Sequence, residues 1–132
     1  MTKDLFWLGL TAMMTGLFFV PYVLNRINVR GFFGAMGNPH KNDLPEADWA
    51  QRAIRAHANA VENLVIFASL VLITQLAGIS NETTGLGAAI YFWARLVHYT
   101  VYTLGIPVMR TLAFFAGLAG ETLIAIELIK IM

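Results

Sequence analysis

Three groups of residues have types and spacings that could do chemistry. Between Arg52 and Phe67 the chain reads Arg-Ala-Ile-Arg-Ala-His-Ala-Asn-Ala-Val-Glu-Asn-Leu-Val-Ile-Phe, with no Gly or Pro. Arg52, Arg55, Asn59, Glu62 and Asn63 fall at i, i+3, i+7, i+10 and i+11. At about 100° per residue that is one face of a helix. Arg95, His98, Tyr99 and Tyr102 repeat the pattern at i, i+3, i+4 and i+7. Arg110 and Thr111 follow a Gly105-Ile106-Pro107 break, and Glu121 and Glu127 lie further on. Arginines with amide and phenol groups suit a small polyanion that carries peptide-like groups. The chain has no cysteine, so any reactive sulfur must come from the ligand. An arginine can favour a thiolate by lowering a thiol's pKa. It cannot act as a general base, because it does not deprotonate.

The elements that carry these residues are set by composition. The 132 residues are 58% hydrophobic and only 13% charged, where a soluble domain carries about 25% charged residues. The excess apolar surface needs lipid as solvent. A net charge of +1 with no basic run gives no case for nucleic acid. The expectation is an all-α membrane protein, a single domain built as a four-transmembrane-helix bundle. Span one is Leu5–Leu24, long enough for a bilayer core of about 30 Å, and is read as a retained span rather than a cleaved signal. Pro21 should bend its last turn. A loop over Gly31–Asp48 follows, and Leu44-Pro45-Glu46-Ala47-Asp48 reads as a helix start. Span two runs from Asp48 to about Ala77, span three over Gly85–Leu104, and span four from Val108–Arg110 to Lys130. Ala113, Ala116, Gly117 and Gly120 on span four would allow close helix approach.

Four spans put both termini on one side. Arg26, Arg30, Lys41, Arg52, Arg55 and Arg110 gather at the first and third loops, while the middle turn has no Lys or Arg. The positive-inside rule therefore places the first and third loops in the cytoplasm and both termini opposite. Counting along each span puts Glu62, Arg95 and Glu121 at one depth, roughly 15 Å past Arg52 at 1.5 Å per residue. An unpaired arginine there costs at least ~2.5–3.5 kcal/mol. Arg95 is expected to pair with Glu62, with Glu121 as the second candidate. Nearer the cytoplasm, Arg26, Arg52, Arg55, Asn59, His98, Tyr102 and Arg110 could line one pocket.

Two motifs carry a family resemblance. Arg55-Ala-His57-Ala-Asn59-Ala-Val-Glu62-Asn63 resembles the second-helix motif of the MAPEG family, the membrane-associated proteins in eicosanoid and glutathione metabolism. Its form is similar to that of the family's microsomal glutathione transferases. Arg95-Leu-Val-His98-x-x-x-Tyr102, with Pro107-x-x-Arg110-Thr111, resembles the family's third-helix signature. The resemblance implies a homotrimer with glutathione bound between neighbours near the cytoplasmic face. It implies glutathione contacts from Arg26, Arg55, Asn59, Glu62, His98, Tyr102, Arg110 and Thr111. Arg110 would stabilise the thiolate as the catalytic residue, with Tyr102 beside it. Arg30 competes with Arg26 for the first-helix contact. Thr111 stands where the prostaglandin-forming branch has serine. Asn63 stands where the leukotriene-forming branch has tyrosine, which argues against that specificity.

Each residue also has a plainer reading. Arg26, Arg30 and Arg52 would serve as topology signals against lipid headgroups. Arg95 reads first as a structural ion-pair partner. His57 points away from Arg55 and Asn59 and reads as a helix contact or a subunit contact; no tight ligand spacing suggests a metal. Glu127 and Lys130 form an i, i+3 surface pair. The leading expectation is a glutathione-dependent transferase acting on lipophilic electrophiles, with peroxidase chemistry open. The alternatives are a non-catalytic lipid-binding member of the same family and a small transporter-like oligomer. The electrophile itself is not written in the sequence.

Overall fold

The computed structural model describes residues Met1–Met132, all of them in helices and short connections. The helices are α1 (Lys3–Leu17), α2 (Phe19–Met36), α3 (Asp48–Leu76), α4 (Glu82–Leu104) and α5 (Pro107–Ile129). Together α1 and α2 form one span, so this is an all-helical four-span membrane protein. Three segments are long and apolar enough to cross a bilayer: Lys3–Met36, Asp48–Leu76 and Pro107–Ile129. The fourth, α4, falls outside that set because Arg95, His98 and its tyrosines interrupt the apolar run. Its polar side chains turn inward instead, with Tyr91, Arg95 and His98 all buried.

Span one is longer than Leu5–Leu24 and is broken where proline chemistry requires it. Pro21 has no N–H to give to Leu17, and its ring crowds that carbonyl. The helix accordingly lapses at Phe18, whose N–H takes the shorter bond to Thr15 O at 3.2 Å. The bend thus comes a turn earlier than expected. Tyr99 from α4 covers the break: its hydroxyl donates to Phe18 O at 2.9 Å and its ring stacks on Phe18 at 3.8 Å. A second interruption at Gly31 (φ 74°, ψ 166°) marks the expected loop start, although one more turn of helix follows to Met36.

The other boundaries follow local signals. Asn81 caps α4 by accepting from the Thr83 and Thr84 N–H groups, and Thr84 returns a capping-box bond. Gly105 closes α4 in the left-handed region (φ 79°, ψ 35°), and Pro107 opens α5 at its first position. Contacts fix the directions. Lys3 meets Glu82, Trp7 meets Phe92 and Phe18 meets Tyr99, so α1 runs parallel to α4. Tyr102 meets Arg110, His98 meets Phe114 and Asn81 meets Glu127, so α4 and α5 are antiparallel. Both termini lie at one end of the bundle, and the arginines gather at the other.

The core is small: Phe67, Val71, Ala88, Tyr91 and Ile124, with Phe67 stacked on Tyr91 at 3.9 Å. Only 24 of 132 residues are buried, and large apolar side chains such as Phe33, Leu76 and Leu104 stand exposed. That surface requires hydrocarbon around it. At the terminal end, buried Asp4 accepts from Gln75 Nε2 and Ser80 Oγ at 2.8 Å each and from Thr84 Oγ1 at 3.2 Å. This ties the chain start to the α3–α4 turn. The expected Glu127–Lys130 pair is present at the same end.

Candidate functional site at the arginine-rich end

The stripe on α3 divides into two rows. Arg52, Asn59 and Asn63, spaced by seven and four residues, turn toward α4. Arg52 Nε donates to Thr103 O at 2.9 Å, at the C-terminus of α4 where a cation complements the helix dipole. Asn59 and Asn63 face Arg95. Arg55 and Glu62, also seven apart, lie about 60–80° round the helix from Arg52 and are exposed.

A cavity of about 300 Å³ opens between α3, α4 and α5. It is lined by Asn59, His98, Tyr102, Arg110, Thr111, Phe114 and Phe115. Five residues expected from the sequence therefore meet in one place. Tyr102 stands one turn after His98 on α4, and their rings meet edge-on at 5.6 Å. Arg110, in the first turn of α5, lays its guanidinium carbon 4.7 Å from the centre of the Tyr102 ring, a cation–π geometry. The Gly105-Ile106-Pro107 turn brings these two helices back to back at that height. Thr111 donates its hydroxyl to Pro107 O at 3.2 Å. Phe114 and Phe115 were not singled out from sequence. Phe114 follows Arg110 by four residues, so helix periodicity alone places it on the same wall.

Several expected residues lie elsewhere in the single chain. Arg26 is held by Glu46 (Nε to Oε1, 2.7 Å), and Arg30 bridges Glu46, Asp43 and Leu44 O at 3.3, 3.3 and 2.7 Å. Burial alone would raise the Glu46 pKa, but its bonds and charge contacts with Arg26 and Arg30 outweigh that and hold it below the ordinary value. Neither arginine enters the cavity. Arg55 is exposed, and Glu62 lines a separate recess with Tyr22, Ile54, His57, Ala58 and Val61. The expected Arg95–Glu62 ion pair does not form. Arg95 Nη1 and Nη2 instead donate to Asn59 Oδ1 and Asn63 Oδ1 at 3.2 and 3.3 Å, and Glu62 stands about 100° around α3 from Asn63. His57 serves as a helix contact, as its facing suggested: its Nδ1 is hydrogen-bonded to the Tyr22 hydroxyl at 2.8 Å. No group of three or more His, Asp or Glu side chains gathers to hold a metal.

The cavity can accept an anion against Arg110 and hold an attached chain along Tyr102 and Asn59. The family model described as MAPEG matches residues 5–130. The chain belongs to the MAPEG family. Its relatives include microsomal glutathione S-transferase 1 of Bos taurus, 34% identical over 95 residues, and those of Homo sapiens and Rattus norvegicus, each 32% identical over 95 residues. Each match covers 71% of this chain and 61% of the relative, so the chain aligns with about three fifths of their length. No solved structure matches it.

Proposed function

We propose that this MAPEG protein is an integral-membrane glutathione transferase that joins the glutathione thiolate to lipophilic electrophiles. The observation that carries the reading is Arg110 held over Tyr102 in a cavity shared with Asn59, His98 and Thr111. In this mechanism Arg110 attracts the thiol sulfur and stabilises its conjugate base, and the thiol proton passes to water. The sulfur then attacks an electrophilic carbon. A carbon–sulfur bond forms, and the leaving group departs with its electron pair. Tyr102 positions the guanidinium by its ring and offers a hydroxyl donor to the ligand. His98, Asn59 and Thr111 bind the peptide groups. Peroxidase chemistry at the same thiolate is a variant of this reading.

Arg26, Arg55 and Glu62 complete the glutathione site in a homotrimer, where a neighbouring chain brings them to the cavity. Their positions away from it in the single chain favour that arrangement. The arginine-rich end, and with it the first and third loops, faces the cytoplasm, and both termini face the opposite side. The electrophile arrives from the bilayer.

A second reading, a non-catalytic lipid-binding protein, is favoured by one feature. A wholly apolar groove of about 470 Å³ runs along α4 and α5 past Leu86, Trp93, Val97 and Ala113. One experiment separates the two. Purified protein in detergent should bind glutathione and develop thiolate ultraviolet absorbance at neutral pH. Arg110→Ala should lose that absorbance and roughly 10²-fold in turnover, the scale of removing one electrostatic stabiliser, with modest loss of binding. Unchanged turnover would refute the transferase mechanism; absent turnover in the unaltered protein, with lipid retained, would favour the second reading.

A further inference from the structure

Behind the cavity wall lies a polar cluster that the chemistry above leaves unused. Arg95 is 2% exposed, Tyr91 0% and Glu121 6%. Arg95 and Tyr91 stand one turn apart on α4, and the guanidinium carbon lies 5.0 Å from the Tyr91 ring and 5.3 Å from the Phe114 ring. On α5, Gly117 makes room for that guanidinium: a methyl group there would fall 3.1 Å from Arg95 Nη2. Glu121 follows Gly117 by one turn and so rises from the same face. Arg95 Nε, the Tyr91 hydroxyl and Glu121 Oε1 are buried without protein partners. A charge this deep is costly without partners, and those of Arg95 are the two rings and the amides of α3.

The remaining nitrogens of Arg95 are committed to amides. Nη1 donates to Asn59 Oδ1 and Nη2 to Asn63 Oδ1. A guanidinium has donors and no acceptor. Whichever end of the Asn59 amide faces it must therefore be the oxygen. The NH2 end is turned the other way, and Asn59 lines the cavity. Asn63 is fixed at its other end as well, because its Nδ2 donates to Asn59 O at 2.8 Å.

We infer that Arg95 is a positioning residue that fixes the Asn59 amide so that the cavity receives its NH2 donor and not its oxygen. The inference rests on the reading of the cavity as a glutathione site. It makes that wall selective for acceptor atoms, a carboxylate or a peptide carbonyl, and hostile to a ligand amine. Without Arg95 the amide is free to turn and present either end.

Full-length protein in detergent tests this with glutathione binding, steady-state kinetics and the side-chain resonances of isotope-labelled asparagine. R95Q and N59L should each weaken glutathione binding about tenfold, the scale of one hydrogen bond to a charged group. KM for glutathione should rise with little change in kcat. The double variant R95Q/N59L should bind no more weakly than N59L, because Arg95 acts through Asn59; additive losses overturn the inference. R95Q should also move or broaden the Asn59 amide resonances in the absence of ligand, and unmoved resonances overturn it equally. R95K, which keeps the charge but reaches only one amide, takes the place of R95Q should R95Q not fold. If the unaltered protein fails to bind glutathione while these resonances move, the functional reading falls and the positioning role stands.

Discussion

Arg110 and Tyr102 form a pair in which the ring and the hydroxyl do separate things. The guanidinium rests on the ring face at 4.7 Å, an interaction worth about 0.5–2 kcal/mol according to how well water is excluded. Tyr102→Phe keeps that face and removes only a donor to the ligand. Its turnover should fall less than about tenfold, the scale of one neutral hydrogen bond. Tyr102→Leu removes the face and frees Arg110 to swing toward water, so its turnover should approach that of Arg110→Ala. Steady-state rates with a saturating electrophile decide the matter: equal losses in the two Tyr102 variants would show that the hydroxyl, not the ring, is what counts. Glu46 makes a different residue-scale prediction. Its bonds with Arg26 and Arg30 depress its folded pKa, so its contribution to stability is complete above the ordinary carboxylate value of about 4.3 and is lost as pH falls through the depressed folded value. The unfolding midpoint in detergent should drop over that acid range, and Glu46→Gln should lower the neutral-pH midpoint and flatten the dependence. An unchanged acid profile in Glu46→Gln would exclude this carboxylate.

At the scale of elements, the site depends on how closely α4 and α5 approach. A methyl group at Gly87 would lie 2.6 Å from Gly120 O, and one at Gly120 would lie 2.5 Å from Gly87 O. Neither obstacle is a flexible side chain, so the helices must part to admit it. Gly120→Ala should destabilise by about 1–3 kcal/mol, the usual cost of overpacking, whereas Gly9→Ala, with nothing within 4 Å, should stabilise α1 by about 0.5–1 kcal/mol. Thermal midpoints compare the two directly, and a neutral Gly120→Ala would contradict the close approach. The elements were largely legible from the chain because lipid imposes long apolar runs and because Asn81, Gly105 and Pro107 punctuate them. Pairing within the bundle was less legible. Counting residues gives depth: it set Glu62, Arg95 and Glu121 at one level, and Arg95 reaches α3 at the flanking Asn59 and Asn63 instead. Counting cannot give the direction around a helix to finer than the spread of a polar stripe. Glu62 and Asn63 differ by one residue, yet only Asn63 reaches Arg95. Asp4 was illegible for another reason: a single acid before an apolar run has no periodic partner, and Gln75, Ser80 and Thr84 reach it only through the fold.

At the scale of the whole molecule, the two rows on α3 decide what a second chain would have to do in the proposed homotrimer. Asn59 serves the cavity of its own chain, together with Tyr102 and Arg110. Arg55 and Glu62 are turned outward on the same helix, and both are charged residues on a span that otherwise meets hydrocarbon. Exposed to lipid they would be costly at that depth; against a neighbouring subunit they could meet an anionic, amine-bearing ligand held in that neighbour's cavity. The proposed glutathione site is then composite, and its two halves can be supplied by different chains. Arg110→Ala assemblies and Arg55→Ala assemblies should each be nearly inactive alone, the first through lost thiolate stabilisation and the second through lost binding. Mixed assemblies from co-expression should regain activity, because some sites then combine an intact Arg110 from one chain with an intact Arg55 from another. Differently tagged chains, purified sequentially so that only mixed assemblies remain, make the comparison quantitative. If the mixed assemblies are as inactive as the parents, one chain supplies both residues to its own site, and the outward row on α3 has some other partner.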